Sequence, residues 1–95
     1  MTKLEAVNCL HQAGLECGCV PGERLYILGG AARWLDEIIG FEKPFAIFEE
    51  PSGCIVATVY GCRLYQEEYH TVNDLEQAVN AVIKIYQQRG MLRNA

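Results

Sequence analysis

One amphipathic segment near the C-terminus limits this chain more than any other feature. Leu75, Ala78, Val79, Val82, Ile83 and Tyr86 recur at three- and four-residue spacing, the stripe of a helix that buries one side. Thr71 with Asp74, or Asn73 with Glu76, supplies an N-cap and an acidic partner, and Gly90 suits the position after the last turn. Such a stripe needs an apolar layer to lie on, and 95 residues make one domain with a single core. The chain is therefore read as one globular domain over residues 1–95, with 91–95 expected to fray.

The layer beneath that helix is expected to be a sheet. Lys43-Pro44 forces an extended entry into Phe45–Phe48, a compact apolar strand. Pro51-Ser52-Gly53 is a turn, and Cys54–Tyr60 is rich in β-branched residues. Gly61-Cys62 suits a two-residue type II′ loop into a third strand, Arg63 to about His70. That loop would pair Tyr60 with Arg63, Thr58 with Tyr65, Val56 with Glu67 and Cys54 with Tyr69. The third strand is not cleanly apolar on either face, which suits a bulge or an edge position.

Upstream, Thr2 and Glu5 form a capping-box pattern, and Leu4, Val7, Leu10 and His11 follow at helical spacing up to Gly14. Residues 15–20 and 24–28 read as a hairpin around Pro21-Gly22. Gly29-Gly30 would end that strand, and Ala31–Ile39 would form a short helix closed by Gly40. The expected fold is α+β: a three-stranded antiparallel sheet, extended to four or five strands by the hairpin. N-terminal, short middle and long C-terminal helices would pack on one face, and only that face is expected to be core.

Twelve acidic side chains against eight basic ones give a net charge of -4, unfavourable for direct nucleic-acid binding. The order helix, three strands, helix also occurs in double-stranded RNA-binding domains. Where those carry a basic run at the last helix, this chain has Asn73-Asp74-Leu75-Glu76. The longest uncharged stretch, Pro51–Cys62, is twelve residues and too short for a membrane span. Five cysteines is an odd number and no basic, apolar leader opens the chain, so a reducing, cytoplasmic setting is expected.

Several clusters invite a chemical reading. Cys9, His11, Cys17 and Cys19 are four zinc-competent groups, but Cys-x-Cys is not the usual ligand spacing, and Cys9 and His11 diverge on a helix. Buried or idle thiols are favoured, so no metal or cofactor is expected. Cys17 and Cys19 would sit near a helix C-terminus, which disfavours a thiolate, whereas Cys62 beside Arg63 is better placed. Leu28-Gly29-Gly30-Ala31, running from strand to helix, would offer backbone N–H groups to a phosphate, but it lacks the Lys-Ser/Thr of a P-loop. Glu49-Glu50 and Glu67-Glu68 are adjacent pairs on strands, so neither converges as a catalytic pair.

Charge placement is more informative. Residues 36–76 hold nine acidic and two basic side chains, net -7, while residues 77–95 are net +3. Tyr60, Tyr65 and Tyr69 fall on one face in the expected register, interleaved with Arg63 and Glu67. Rings beside charge are a common interface composition. The expectation is a non-enzymatic protein-binding module using Glu49, Glu50, Tyr60, Tyr65, Glu67, Glu68 and Tyr69, with a basic protein surface as partner. Small immunity proteins, adaptors and phage-encoded inhibitors of host defence share this profile, though no motif of theirs is present. The alternatives are a nucleotide or small-ligand domain using Gly29-Gly30, and a zinc or thiol protein using Cys17 and Cys19.

Overall fold

The computed structural model describes residues 1–22, 25–31, 45–61, 65–90 and 92. Helix α1 (Lys3–Gln12) leads into strands β1 (Leu15–Cys19), β2 (Tyr26–Ala31), β3 (Phe45–Glu49), β4 (Ile55–Val59) and β5 (Glu68–Val72), and helix α2 (Leu75–Gln88) follows. The strands form one five-stranded antiparallel sheet in sequential order, a meander whose edges are β1 and β5. The fold is α+β, with five strands rather than three, and the N-terminal hairpin forms.

Local chemistry sets the helix ends. Thr2 Oγ1 accepts from the Glu5 N–H at 3.1 Å while Glu5 Oε1 accepts from the Thr2 N–H at 2.9 Å, completing the capping box. Gly14 then turns the chain into β1 at φ 99°. At α2 the cap is Asp74, whose Oδ1 accepts from the Gln77 N–H at 2.8 Å, rather than Thr71 or Asn73. Gln77 Oε1 in turn takes the Asn73 N–H at 3.0 Å. Gly90 has φ 67°, the left-handed conformation that ends a helix.

Both described helices lie on one face of the sheet. Leu10 and Ala6 of α1 join Val79, Val82, Ile85 and Tyr86 of α2 over Ile27, Phe45, Ile47, Ala57 and Val59. Phe45 and Tyr86 meet edge-to-face at 6.0 Å. Ile85, not Ile83, completes the buried stripe, and Leu4 points away at 69% exposure. Leu92 is 5% exposed within the core, and the rest of the stretch expected to fray lies outside the described residues.

Three expectations are corrected. Gly29 and Gly30 do not break a strand: they lie inside β2, which runs to Ala31. A Cβ on Gly29 would overlap the Glu16 carbonyl and come within 2.5 Å of Cys17 Cβ, so glycine permits β1 and β2 to approach closely there. The proposed helix over 31–39 is therefore contradicted at Ala31, and its remainder lies outside the described residues.

Second, Gly61 does not have the positive φ a type II′ loop requires. Thr58 pairs with Tyr69 and Val56 with Thr71, four residues further on than expected. The connection instead doubles back on Gly61, whose added Cβ would stand 3.0 Å from the Glu67 nitrogen. A four-residue shift is even, so side chains keep the parity of the expected faces along β5.

Third, the face away from the helices is not open at its centre. Ala46 and Val56 are fully buried there, and Thr58 is 4% exposed with its hydroxyl donating to the Glu68 carbonyl at 3.0 Å. These are small residues, and the larger Tyr26, Phe48 and Tyr69 side chains stand around them on the same face, with Tyr26 and Phe48 stacked at 5.9 Å.

Candidate binding surface around β5

The seven expected site residues form two groups, with Glu49 apart from both. The first surrounds Arg89, the C-cap of α2, whose side chain is only 4% exposed. Its Nη1 donates to the Tyr60 carbonyl at 3.0 Å and its Nη2 to the Gln66 carbonyl at 2.8 Å. Glu68 Oε2 lies 3.7 Å from Nη2, and His70 Nε2 lies 3.4 Å from the other Glu68 oxygen. The guanidinium sits 5.1 Å from the centre of the Tyr65 ring, while Tyr65 Oη donates back to the Arg89 carbonyl at 3.1 Å.

The chemistry of this cluster is structural. A cation at a helix C-terminus complements the helix dipole, and stacking on a ring desolvates its face favourably. Two carbonyls from residues 60 and 66 converge on one fork, tying both ends of the β4–β5 connection to α2. Tyr65 and Glu68 are thus engaged within the fold through their side chains and Tyr60 through its backbone carbonyl, and the shared tyrosine face is corrected at Tyr65. Tyr65 lies between the end of β4 and the end of α2, outside the β5 ladder, because the connection is longer than a two-residue loop.

The second group faces the other way. Tyr69 is 58% exposed on the face opposite the helices, and its hydroxyl donates to Glu50 Oε1 at 2.9 Å. That carboxylate acceptor holds the phenol proton and raises the Tyr69 pKa above its ordinary value. Tyr69 pairs with Thr58, whereas Glu50 lies beyond the Phe48–Val56 row, so the ring leans along the strand to reach it. Tyr26, 38% exposed, extends the aromatic surface on the same face. Glu67 is exposed where the connection enters β5. Glu49 lies apart, on a groove of about 560 Å³ at the N-terminal ends of both helices, with Thr2, Leu25, Ile55 and Asp74.

Sequence reasoning missed Arg89 as an organiser, since a basic residue at a helix end reads as an exposed dipole partner. It also missed Tyr26, because the register of the N-terminal hairpin decides which face that ring joins.

The alternative sites look different in three dimensions. Cys9, Cys17, Cys19 and Cys54 are free thiols, and no three His, Cys, Asp or Glu side chains among the described residues are grouped to hold a metal. Burial, then the neighbouring Cys19 and Glu16, pushes the Cys17 thiol up to about 11, the opposite of an activated nucleophile. Cys17 Sγ lies 4.0 Å from the Val7 carbonyl. His11 Nε2 lies 3.0 Å from the Cys17 carbonyl, and because a carbonyl only accepts, His11 carries its proton on Nε2. Gly29 and Gly30 sit within a paired strand, which removes the strand-to-helix turn on which phosphate binding was premised. Cys62 and Arg63 lie outside the described residues.

No described helix is long and apolar enough to cross a membrane. Comparison with protein-family models, curated proteins and solved structures gives no match to this chain.

Proposed function

We propose that this chain is a non-enzymatic protein-binding module whose acidic, tyrosine-bearing surface docks on a basic patch of a partner protein. The observation that carries this reading is Tyr69, a large ring left 58% exposed and braced by a hydrogen bond to the Glu50 carboxylate. An amphipathic ring held in one rotamer beside a carboxylate offers a lysine or arginine both a π face and a counter-charge at little entropic cost. The surrounding chain adds charge of the same sign, with residues 36–76 at net -7. A basic groove that normally holds nucleic acid has the matching chemistry, so the module acts as an inhibitor or adaptor, as anti-defence and immunity proteins of this size do.

The surface used is Glu50, Glu67 and Tyr69, while Glu49 stands apart on the groove at the helix N-termini. Tyr60, Tyr65 and Glu68 support it from behind through Arg89. The test is association with the partner captured from the native host at low and moderate salt. Glu67→Lys and Glu50→Lys are expected to slow association at low salt and to leave the melting temperature nearly unchanged, and moderate salt is expected to reduce the difference because exposed charges more than about 8 Å apart are screened at physiological ionic strength. Tyr69→Ala is expected chiefly to speed dissociation. Binding that ignores salt and tolerates both reversals contradicts the acidic-surface reading.

A further inference from the structure

We propose that the outer edge of β5 is a strand-addition site for an extended, lysine- or arginine-bearing segment of the partner. This rests on the acidic-surface reading and supplies its binding mode. The Glu50 N–H donates to the Cys54 carbonyl at 2.8 Å, which fixes the hydrogen-bonding parity of β3 with β4. Even-numbered residues join those strands, so Ile55, Ala57 and Val59 turn their backbone groups toward Val72, His70 and Glu68. Tyr69 and Thr71 therefore direct their N–H and C=O groups outward from the last strand of the sheet.

The register of an added strand is bounded at both ends. Beyond Thr71 the next outward N–H belongs to Asn73 and is taken by Gln77 Oε1 at 3.0 Å. Before Tyr69 the Gln66 carbonyl is held by Arg89 at 2.8 Å, which bends the chain toward α2. What remains is a short ladder that an extended segment completes through its own backbone, with side chains alternating across the edge. On one side they meet Tyr69, Glu50 and Glu67, and on the other Glu68 and His70.

The Glu50 and Glu67 carboxylates select a basic segment. They also disfavour a second copy of this chain, which would bring Glu50, Glu67 and Glu68 of both molecules to one seam. The opposite edge is finished differently. The Val20 N–H donates to the Tyr26 carbonyl at 2.8 Å, so Leu15, Cys17 and Cys19 point their backbone groups outward there. The central one, the Cys17 carbonyl, already accepts from His11.

The probe is a labelled, blocked peptide alternating lysine and valine, followed by fluorescence anisotropy at low salt against the intact chain. It is expected to bind, and the glutamate–valine counterpart is not. Methylating every backbone nitrogen of the peptide is expected to weaken binding by at least about tenfold, since each lost hydrogen bond contributes on the order of 1 kcal/mol. Thr71→Pro removes one outward donor without touching the β4–β5 ladder and is expected to weaken binding about tenfold. The methylated peptide tests the complementary bonds of the same ladder, from peptide N–H groups to the Tyr69 and Thr71 carbonyls, on the unaltered protein should that variant misfold. Equal affinity of the methylated peptide overturns strand addition and leaves the acidic surface standing. Equal affinity of the glutamate–valine peptide, or no binding of the lysine–valine peptide, overturns both. A dimer of the chain that Thr71→Pro dissociates assigns the edge to a second copy and also overturns the proposal.

Discussion

At the β1 edge the chain comes straight out of α1, and the helix reaches back over its own strand: His11 holds the Cys17 carbonyl while Cys17 and Leu15 turn their side chains into the core. Among the described residues, no side chain holds an outward carbonyl of the β5 edge in this way. Its strand is mostly polar and half-buried to exposed, and it is held from behind by Arg89 through residues on either side of the β4–β5 connection. One edge spends its side chains on packing and leaves little for a partner to read. The other delegates its stability to a buried guanidinium, which frees Tyr69, Glu50 and Glu67 to face outward. The Arg89 support and the proposed recognition surface thus lie on opposite sides of β5.

The sharpest way to break this contrast is to remove the support behind β5. Arg89→Leu leaves the Tyr60 and Gln66 carbonyls without their donor and is expected to cost about 3 kcal/mol of stability. Denaturant unfolding reads it, and a change near zero would mean that the cluster does not hold β5. On the other side, Gly29→Ala puts a methyl group against the Glu16 carbonyl and Cys17 Cβ. It is expected to cost about 2 kcal/mol, as overpacking does, and a neutral outcome would refute the close approach of β1 to β2.

A pH scan into the alkaline range probes both edges, since the Tyr69 phenol is also held above its ordinary value, and a Cys17 variant isolates the β1 share. The Cys17 thiol titrates near 11 in the fold against an ordinary value of 9.0, because burial penalises its thiolate. A raised value means that the folded state keeps its proton longer. The contribution is complete below pH 9.0 and is lost as pH rises through about 11. Cys17→Ala is expected to flatten that alkaline decline, and an unchanged decline would remove Cys17 as its cause. The smallest effect belongs to His11→Ala, worth under about 1 kcal/mol for one exposed hydrogen bond. Its informative readout is sedimentation, where an uncovered β1 edge is expected to promote self-association, while a strictly monomeric variant would show that His11 does not guard the edge.

How much of this was legible in the sequence follows from how local each cause is. The caps at Thr2 and Gly90, the β3 strand and most of the α2 stripe depend on neighbours a few residues apart, and the sequence shows them. The register of β5 depends on a connection whose length is set by contacts 23 to 29 residues away, from Arg89 to Gln66 and Tyr60. Local turn chemistry at Gly61 could not reveal it. Gly29 read as a strand break for the same reason: only the approach of β1 shows why a glycine belongs inside β2. Among the site residues, the Tyr69 and Glu50 pairing joins residues 19 apart, and Tyr65 is separated from Tyr69 because it lies in the connection before β5, tied to Arg89. Surface charge, which needs no partner to be seen, carried the rest.

The measurement that bears most directly on recognition at β5 is amide hydrogen exchange of the complex with its captured partner, compared with the free chain. The outward-facing Tyr69 and Thr71 amides are expected to exchange rapidly alone and to gain strong protection in the complex, with residues 15–19 unchanged. Protection confined to 15–19, or a complex in which Tyr69 and Thr71 exchange as fast as in the free chain, would contradict the account.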